Sequence, residues 1–290
     1  MIRLRRQSET KPGDAAVEID SSPVLRLPVV RKSAGDDRDV DDAIAVESPL
    51  QINVVWTKRG RRIERPVSVT MRTPGRDEDL AIGFLIAEGV IGDLDDVDHC
   101  VGGPNQIDVV FRDGVVVELC DLHRRGTTTS ACGVCGKTSI DQIRVRVALP
   151  LRSGDPPINA AMLCGLSDEL RALQPIFAQT GGLHGCGLFA RDGQCFGSAE
   201  DVGRHNALDK LIGDVMRRCP AKLADSVLML SGRISFELVQ KSLVAGIPIV
   251  AAVGAPSSLA IQTASEFGQT LVGFVKNDRA NVYCGADRIV

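Results

Sequence analysis

Two cysteines separated by two residues, Cys132 and Cys135, are the side chains of this sequence best suited to covalent chemistry. They lie in TTTSACGVCGKTSI, residues 127–140, a segment rich in small and hydroxyl residues and poor in apolar ones. Little in it can anchor to a core, so we expect a loop that presents both thiols. Lys137 follows closely, and a neighbouring positive charge favours the reactive thiolate.

A Cys-x-x-Cys pair has four common meanings: half of a zinc site, a thiol–disulfide oxidoreductase, a thiolate carrier of sulfur, or a fortuitous pair. Structural zinc needs a second ligand pair, and the nearby His184-Gly185-Cys186 lacks a familiar ligand spacing. A zinc deaminase needs His-x-Glu, which occurs nowhere in the chain, and Pro before the first Cys, where Ala131 stands. The residues 136–139 begin a helix poorly, which disfavours a thioredoxin-type site. These observations weaken structural zinc and the thiol–disulfide oxidoreductase without removing them, and the sulfur carrier and the fortuitous pair also stay open.

The composition limits the class of protein. The chain has 290 residues with 44% apolar and 3% aromatic residues, so a large aliphatic core is expected. A net charge of −3 gives no case for a nucleic-acid or membrane-surface binder. No apolar run reaches the length of about 18 residues that a membrane span needs. Nine irregularly spaced cysteines favour a reducing compartment, so we expect a cytoplasmic protein without a disulfide scaffold.

The first half of the chain predicts a polar, flexible arm over 1–42 and a small α+β domain over 43–122. That domain has a hairpin of strands 52–60 and 65–75, then a helix within 73–91 opened by Thr73 or Pro74 and closed by Gly89. A second hairpin pairs 106–113 with 115–122 through Asp113-Gly114. The thiol loop and linker follow over 123–159, with a short strand at 144–150.

The second half, 160–290, alternates helices and strands. A helix in 160–182 precedes a hairpin in 183–201, and a helix follows over 202–219. Three unbroken apolar runs, 226–232, 248–255 and 271–277, alternate with two helices, which indicates parallel strands buried on both faces. The predicted fold class is α/β, a three-layer sandwich with a mixed, mostly parallel sheet, plus the smaller N-terminal α+β domain.

Polar loops of this half predict a binding cleft. Arg204 and His205 stand just inside a helix start with Asp201 as its expected cap, and the glycines of TGGLHG, 180–185, could offer N–H groups to phosphate. Arg233, and Ser257 with Ser258, follow two of the buried strands, and ligands bind beyond the carboxyl ends of such strands. These loops together suggest one anion or nucleotide cleft, although ordinary strand–helix loops would have a similar composition.

Seven stretches in this order resemble the FdhD family of formate dehydrogenase accessory sulfurtransferases. They span about residues 45–283: TPGRDEDLAIGFLIAEGVI, SACGVCGK, TGGLHG, EDVGRHNALDKLIG, SGRISFELVQK, GIPIVAAVGAPSSLA and TLVGFVK. The family pattern often has Ser where Ala131 and Gly254 stand here. Neither departure removes a group that sulfur transfer needs.

The resemblance implies that a cysteine desulfurase donates sulfane sulfur to Cys132, which holds it as a persulfide, with Cys135 as the second cysteine of the pair. The acceptor would be the molybdenum cofactor of formate dehydrogenase, a bis-molybdopterin guanine dinucleotide, with no permanent metal in the protein. The family's cofactor-binding segment maps onto Phe274, Val275, Lys276, Asn277, Asp278 and Arg279. The larger domain would be similar to cytidine deaminases, and the protein a homodimer. A non-catalytic cofactor chaperone and a thiol–disulfide oxidoreductase are the alternatives.

Overall fold

The structure is a computed structural model that describes residues 22–117, 151 and 157–290. The predictions for Cys132, Cys135, the thiol loop and the strand at 144–150 lie outside these residues. Of the predicted arm, residues 24–45 form an antiparallel hairpin of two strands, β1 (Val24–Ser33) and β2 (Asp36–Ala45). The predicted boundary at residue 42 therefore cuts through a strand. The many charged residues of this segment predicted a flexible arm. However, Leu25, Leu27 and Val29 alternate with more exposed residues along β1, which is typical of a strand.

The next part of the chain forms a four-stranded sheet in the order β4-β3-β6-β5. Its elements are β3 (Ser48–Lys58), β4 (Arg61–Arg72), α1 (Asp77–Ala87), β5 (Val97–Gly103) and β6 (Gln106–Phe111). The first predicted hairpin is confirmed. The second is wrong: β6 pairs antiparallel with β5, and residues 115–117 are not a strand. The sequence did not predict β5, because apolar and polar residues alternate only weakly along VDHCVGG.

The rest of the chain forms a six-stranded sheet in the order β12-β11-β10-β9-β7-β8. Its strands are β7 (His184–Phe189), β8 (Cys195–Asp201), β9 (Val227–Leu230), β10 (Ile249–Ala252), β11 (Thr270–Lys276) and β12 (Arg279–Cys284). Its helices are α2 (Ala160–Ala172), α3 (Pro175–Thr180), α4 (Arg204–Arg218), α5 (Phe236–Val244) and α6 (Ser258–Glu266).

The sheet is mixed, as predicted, and its three central strands β9, β10 and β11 are parallel. The expectation of a mostly parallel sheet is wrong, because the pairings of β7 with β8, β7 with β9 and β11 with β12 are antiparallel. Two hairpins therefore flank a parallel centre. Pro175 divides the predicted helix of 160–182 into α2 and α3, since proline removes a helical N–H and clashes with the preceding turn.

The helices α1 and α4 join the two sheets. Each crosses the other at a glycine, Gly83 and Gly213, and the two backbones touch there: a Cβ on Gly83 would lie 1.9 Å from the Asp209 carbonyl oxygen. Buried side chains from β3, β6, α1, α4, α5 and one face of the six-stranded sheet form one continuous core. The opposite face of that sheet packs on α2 in a second core. The two parts of the chain thus share a core, whatever their separate sequence patterns suggest.

Helices α1 and α4 are buried on nearly every side, as expected of helices packed between two sheets. Leu80 and Leu85 of α1, and Ala207, Leu211 and Val215 of α4, are each at most 1% exposed. The start of α1 differs from the prediction: the helix begins at Asp77, and residues 73–76 form a turn before it. No helix in the parts of the chain that the structure describes is both long enough and apolar enough to cross a membrane.

Candidate functional site

The candidate site is the edge of the six-stranded sheet at the carboxyl ends of β9, β10 and β11. The chain after each strand turns sharply, and the three turns are joined by backbone hydrogen bonds. Gly254 N–H donates to the Gly232 carbonyl (3.1 Å), and Phe274 N–H donates to the Gly254 carbonyl (3.2 Å). The N–H of Ser257 donates to Ile234 (3.0 Å), which ties the same turns together one step further on. The result is a continuous ledge of backbone along the sheet edge.

Glycine is needed on this ledge because the turns pack too closely for a side chain. A Cβ on Gly254 would lie 2.7 Å from the Gly232 carbonyl oxygen and 2.9 Å from the Arg233 nitrogen. A Cβ on Gly273 would lie 2.9 Å from Pro256 Cδ. The glycines therefore let the three turns pack directly on one another, which fixes the shape of this sheet edge.

Arg204, His205 and Arg233 all lie close enough to His184, at one end of this ledge, for their charges to act on it. Arg204 and His205 are the first two residues of α4, and Arg233 follows β9 by way of Gly232. The Nε of Arg204 is buried and has no hydrogen-bond partner among the described residues. A buried guanidinium nitrogen without a partner is unfavourable unless a ligand supplies the acceptor. This end of the sheet edge is therefore prepared for an anion.

His205 is held by two residues that open α5. Its Nε2 lies 3.2 Å from Ser235 Oγ and 3.5 Å from Glu237 Oε2. Burial raises the pKa of Glu237, but hydrogen bonds from His205 and Ser235 outweigh it and leave that pKa below its ordinary value. The carboxylate thus stays charged and keeps the imidazole in place.

The expected helix cap is wrong. Gly203 precedes α4, and Asp201 instead accepts from the N–H of Gly203 (2.9 Å) and from Asn206 Nδ2 (3.2 Å). Its other oxygen lies 2.8 Å from the buried Lys210 Nζ. The glycine pair of TGGLHG also has a different role: Gly181 ends α3 with φ 64°, and a strand rather than a helix follows.

The remaining predicted ligand residues lie along the same edge with different exposure. Ser257 caps α6 by accepting the N–H of Ala260 (3.3 Å), and Ser258 begins that helix, exposed. Phe274 is 43% exposed with φ 54°, a left-handed backbone that bulky residues rarely adopt. Val275 is fully buried in the second core, so only its backbone could contact a ligand.

The last four residues of the predicted segment form the β11–β12 turn and its flanks. Lys276, Asn277, Asp278 and Arg279 are all exposed there. The described residues contain no group of three His, Cys, Asp or Glu side chains that could hold a metal ion. The chemistry that this edge offers is therefore charge, backbone donors and an exposed aromatic ring.

Sequence reasoning missed one member of the site, His184, which it considered only as a zinc ligand. The ring lies against Gly232: a Cβ there would be 3.3 Å from its Nδ1. Burial lowers the pKa of His184, and the charges of Arg204, His205 and Arg233 lower it further, against a smaller opposite effect of Asp201. The start of β7 reaches the same sheet edge as Arg233 because β7 runs antiparallel to β9, and no signal in the sequence indicated that direction.

A solved structure has the same fold as this chain. A crystal structure of a putative formate dehydrogenase accessory protein from Desulfotalea psychrophila matches with a TM-score of 0.69, covering 92% of this chain and 99% of that one. The two sequences are 24% identical, so the likeness defines the fold alone. It is a mixed α/β fold.

The sequence comparisons define the family. The FdhD/NarQ family profile matches residues 45–290. The sulfur carrier protein FdhD of Streptomyces coelicolor is 44% identical over 276 residues, covering 91% of this chain and 95% of that protein. The protein of the same name from Mycobacterium tuberculosis is 47% identical over 262 residues, covering 86% and 92%. This chain therefore belongs to the FdhD/NarQ family, which confirms the resemblance found in its sequence.

Proposed function

We propose that this protein is a sulfur carrier that takes sulfane sulfur from a cysteine desulfurase and delivers it to the molybdenum cofactor of formate dehydrogenase. The observation that carries the cofactor part is the sheet edge where the charges of Arg204 and Arg233 both act on His184 and the buried Nε of Arg204 has no partner among the described residues. The relatives named sulfur carrier protein support the transfer part.

Cys132 is the proposed carrier of the sulfur. Its thiolate attacks the outer sulfur of the donor's persulfide, a new S–S bond forms on Cys132, and the donor cysteine leaves as a thiolate. Five of the six described cysteines are less suited to this role. Burial raises the pKa of Cys100 to about 12 and also raises the pKa values of Cys164, Cys186, Cys195 and Cys284, so these thiols stay protonated at neutral pH.

The acceptor, a bis-molybdopterin guanine dinucleotide, fits the groups along the sheet edge. Its diphosphates would lie between Arg204 and Arg233, where two guanidiniums can each bind phosphate through paired N–H donors. The exposed ring of Phe274 offers a flat apolar surface to a guanine or pterin ring. Arg279 and Lys276 add positive charge at the same hairpin. Homodimerisation remains a prediction.

The test is to incubate the protein with a cysteine desulfurase and ³⁵S-cysteine, then locate the label by peptide mass spectrometry. We expect one sulfane sulfur on Cys132, none in Cys132→Ala, and retained labelling in Cys284→Ala as the matched control. Label on another cysteine in the wild type would refute the assignment.

The same variants separate the alternatives. A cofactor chaperone without sulfur chemistry would still support formate dehydrogenase after both Cys132 and Cys135 are replaced by Ala. A thiol–disulfide oxidoreductase would lose all activity in Cys135→Ala alone, because its cycle needs both thiols. The proposed carrier loses activity in Cys132→Ala while cofactor binding persists.

A further inference from the structure

His184 is placed to act on whatever anion enters the cleft. It is the first residue of β7, next to β9 in the sheet, and its half-buried ring lies against the turn that carries Arg233. Within the part of the chain that the structure describes, neither ring nitrogen makes a hydrogen bond. A half-buried imidazole without a partner can accept or donate one more bond at little structural cost.

The charges that face His184 come from three elements. Arg204 and His205 approach from α4, and Arg233 from the turn after β9. Asp201, at the end of β8, acts in the opposite direction, but its Oδ2 already lies 2.8 Å from Lys210 Nζ. Burial and the three positive charges thus outweigh Asp201, which disfavours a further proton on the ring.

Building on the proposed phosphate cleft, we propose that His184 is a proton-dependent ligand of the anion: neutral in the free protein, and protonated when a phosphate group enters beside Arg204 and Arg233. The proton comes from solvent, adds to the unprotonated ring nitrogen, and leaves both nitrogens as donors. One of them then donates to a phosphate oxygen. No other bond forms or breaks.

This arrangement couples binding to pH. An anion beside His184 reverses the local field that kept the ring neutral and raises its pKa in the complex. Linkage then requires that phosphate binding takes up protons, and that affinity rises as pH falls through the range between the free and bound pKa values. The cleft would hold its ligand more tightly in mildly acidic conditions and release it more readily in alkaline ones.

The test uses GDP as the probe and isothermal titration calorimetry at pH 6.0, 7.0 and 8.0, in two buffers with different ionisation enthalpies. We expect the wild type to take up a measurable fraction of a proton at pH 7.0. His184→Gln should bind as well as the wild type at pH 8.0 and several-fold more weakly at pH 6.0, because only the wild type can gain the proton that supplies the extra donor. Comparing the two proteins cancels the titration of GDP itself.

The matched control is His99→Gln, a histidine whose side chain is 55% exposed on β5, which should behave as the wild type does. Proton uptake and pH dependence that persist unchanged in His184→Gln would overturn the inference while leaving the phosphate cleft intact. Absence of GDP binding to the wild type at all three pH values would overturn the cleft and this inference with it. Sulfur labelling of Cys132 would be unaffected by either result.

Discussion

Lys210 of α4 and Asp201 of β8 form a buried ion pair in which Nζ lies 2.8 Å from Oδ2. Their side chains are 3% and 0% exposed. The same ammonium donates to the Thr73 carbonyl (2.8 Å), and Thr73 N–H donates to Asp201 (3.1 Å). The pair thus fastens the turn before α1 to the strand and helix that carry Arg204 and His205.

Removing one partner of this pair should be strongly destabilising. Lys210→Met leaves the Asp201 carboxylate buried without its counter-charge, and we expect a loss of about 3–5 kcal/mol in the free energy of unfolding, measured by urea denaturation. The control is Asp37→Asn, which breaks the exposed Lys32–Asp37 pair and should change stability by less than about 1 kcal/mol. Similar losses in both variants would contradict this account.

The crossing of α1 and α4 depends on the absence of two side chains. In Gly213→Ala the new Cβ would lie 2.0 Å from the Asp79 carbonyl oxygen, so the helices must move apart. We expect destabilisation of about 1–3 kcal/mol, read from the urea midpoint. Gly165→Ala in α2 meets nothing within 4 Å and should instead stabilise by about 0.5–1 kcal/mol through helix propensity. Stabilisation by Gly213→Ala would show that the contact is not tight.

Phe274 has a strained backbone and an exposed ring. Neither feature stabilises the fold, so we expect this residue to contact a ligand. Phe274→Gly relieves the positive φ and should keep or raise stability by up to about 1 kcal/mol. Loss of the aromatic surface should weaken GDP binding about tenfold, measured by calorimetry. Phe274→Tyr serves as the control that keeps the ring and should bind as the wild type does. Equal affinity for all three proteins would remove Phe274 from the site.

Asp214 links α1 to α4 through charge and should make stability depend on acid pH. Its carboxylate accepts from Arg218 Nε (2.6 Å) and lies 3.3 Å from Arg76 Nη2. The bond from Arg218 lowers the pKa of Asp214 in the folded state, despite partial burial.

The sign follows from that lowered pKa. The pair stabilises the fold above the ordinary Asp pKa of about 4, and this stabilisation is lost as pH falls through the lower folded value. Asp214→Asn should therefore lose less stability than the wild type between pH 5 and pH 2.5 in urea titrations. Parallel pH curves for the two proteins would show that Asp214 contributes nothing.

The strand-end cleft could be predicted in part. The sequence predicts that Arg233 and Ser257 each follow a buried parallel strand and that Arg204 starts a helix. Because the carboxyl ends of parallel strands lie at one edge of a sheet, the sequence predicted that these residues lie near that edge. The place of His184 did not follow, because β7 runs antiparallel to β9 and the direction of a hairpin strand cannot be read from its own residues. Likewise the sequence did not reveal that β5 pairs antiparallel with β6.

The sequence by itself determined the periodic elements, the three parallel central strands and the ordered set of stretches that identifies the family, because these depend on local residue types and their spacing. Tertiary structure alone decided the contact of Gly83 with α4, the Asp201–Lys210 pair and the meeting of His184 with Gly232. Each joins residues from separate parts of the fold, and the ion pair also contacts Thr73, which is distant in sequence. Such contacts arise from packing, which no short stretch of sequence encodes.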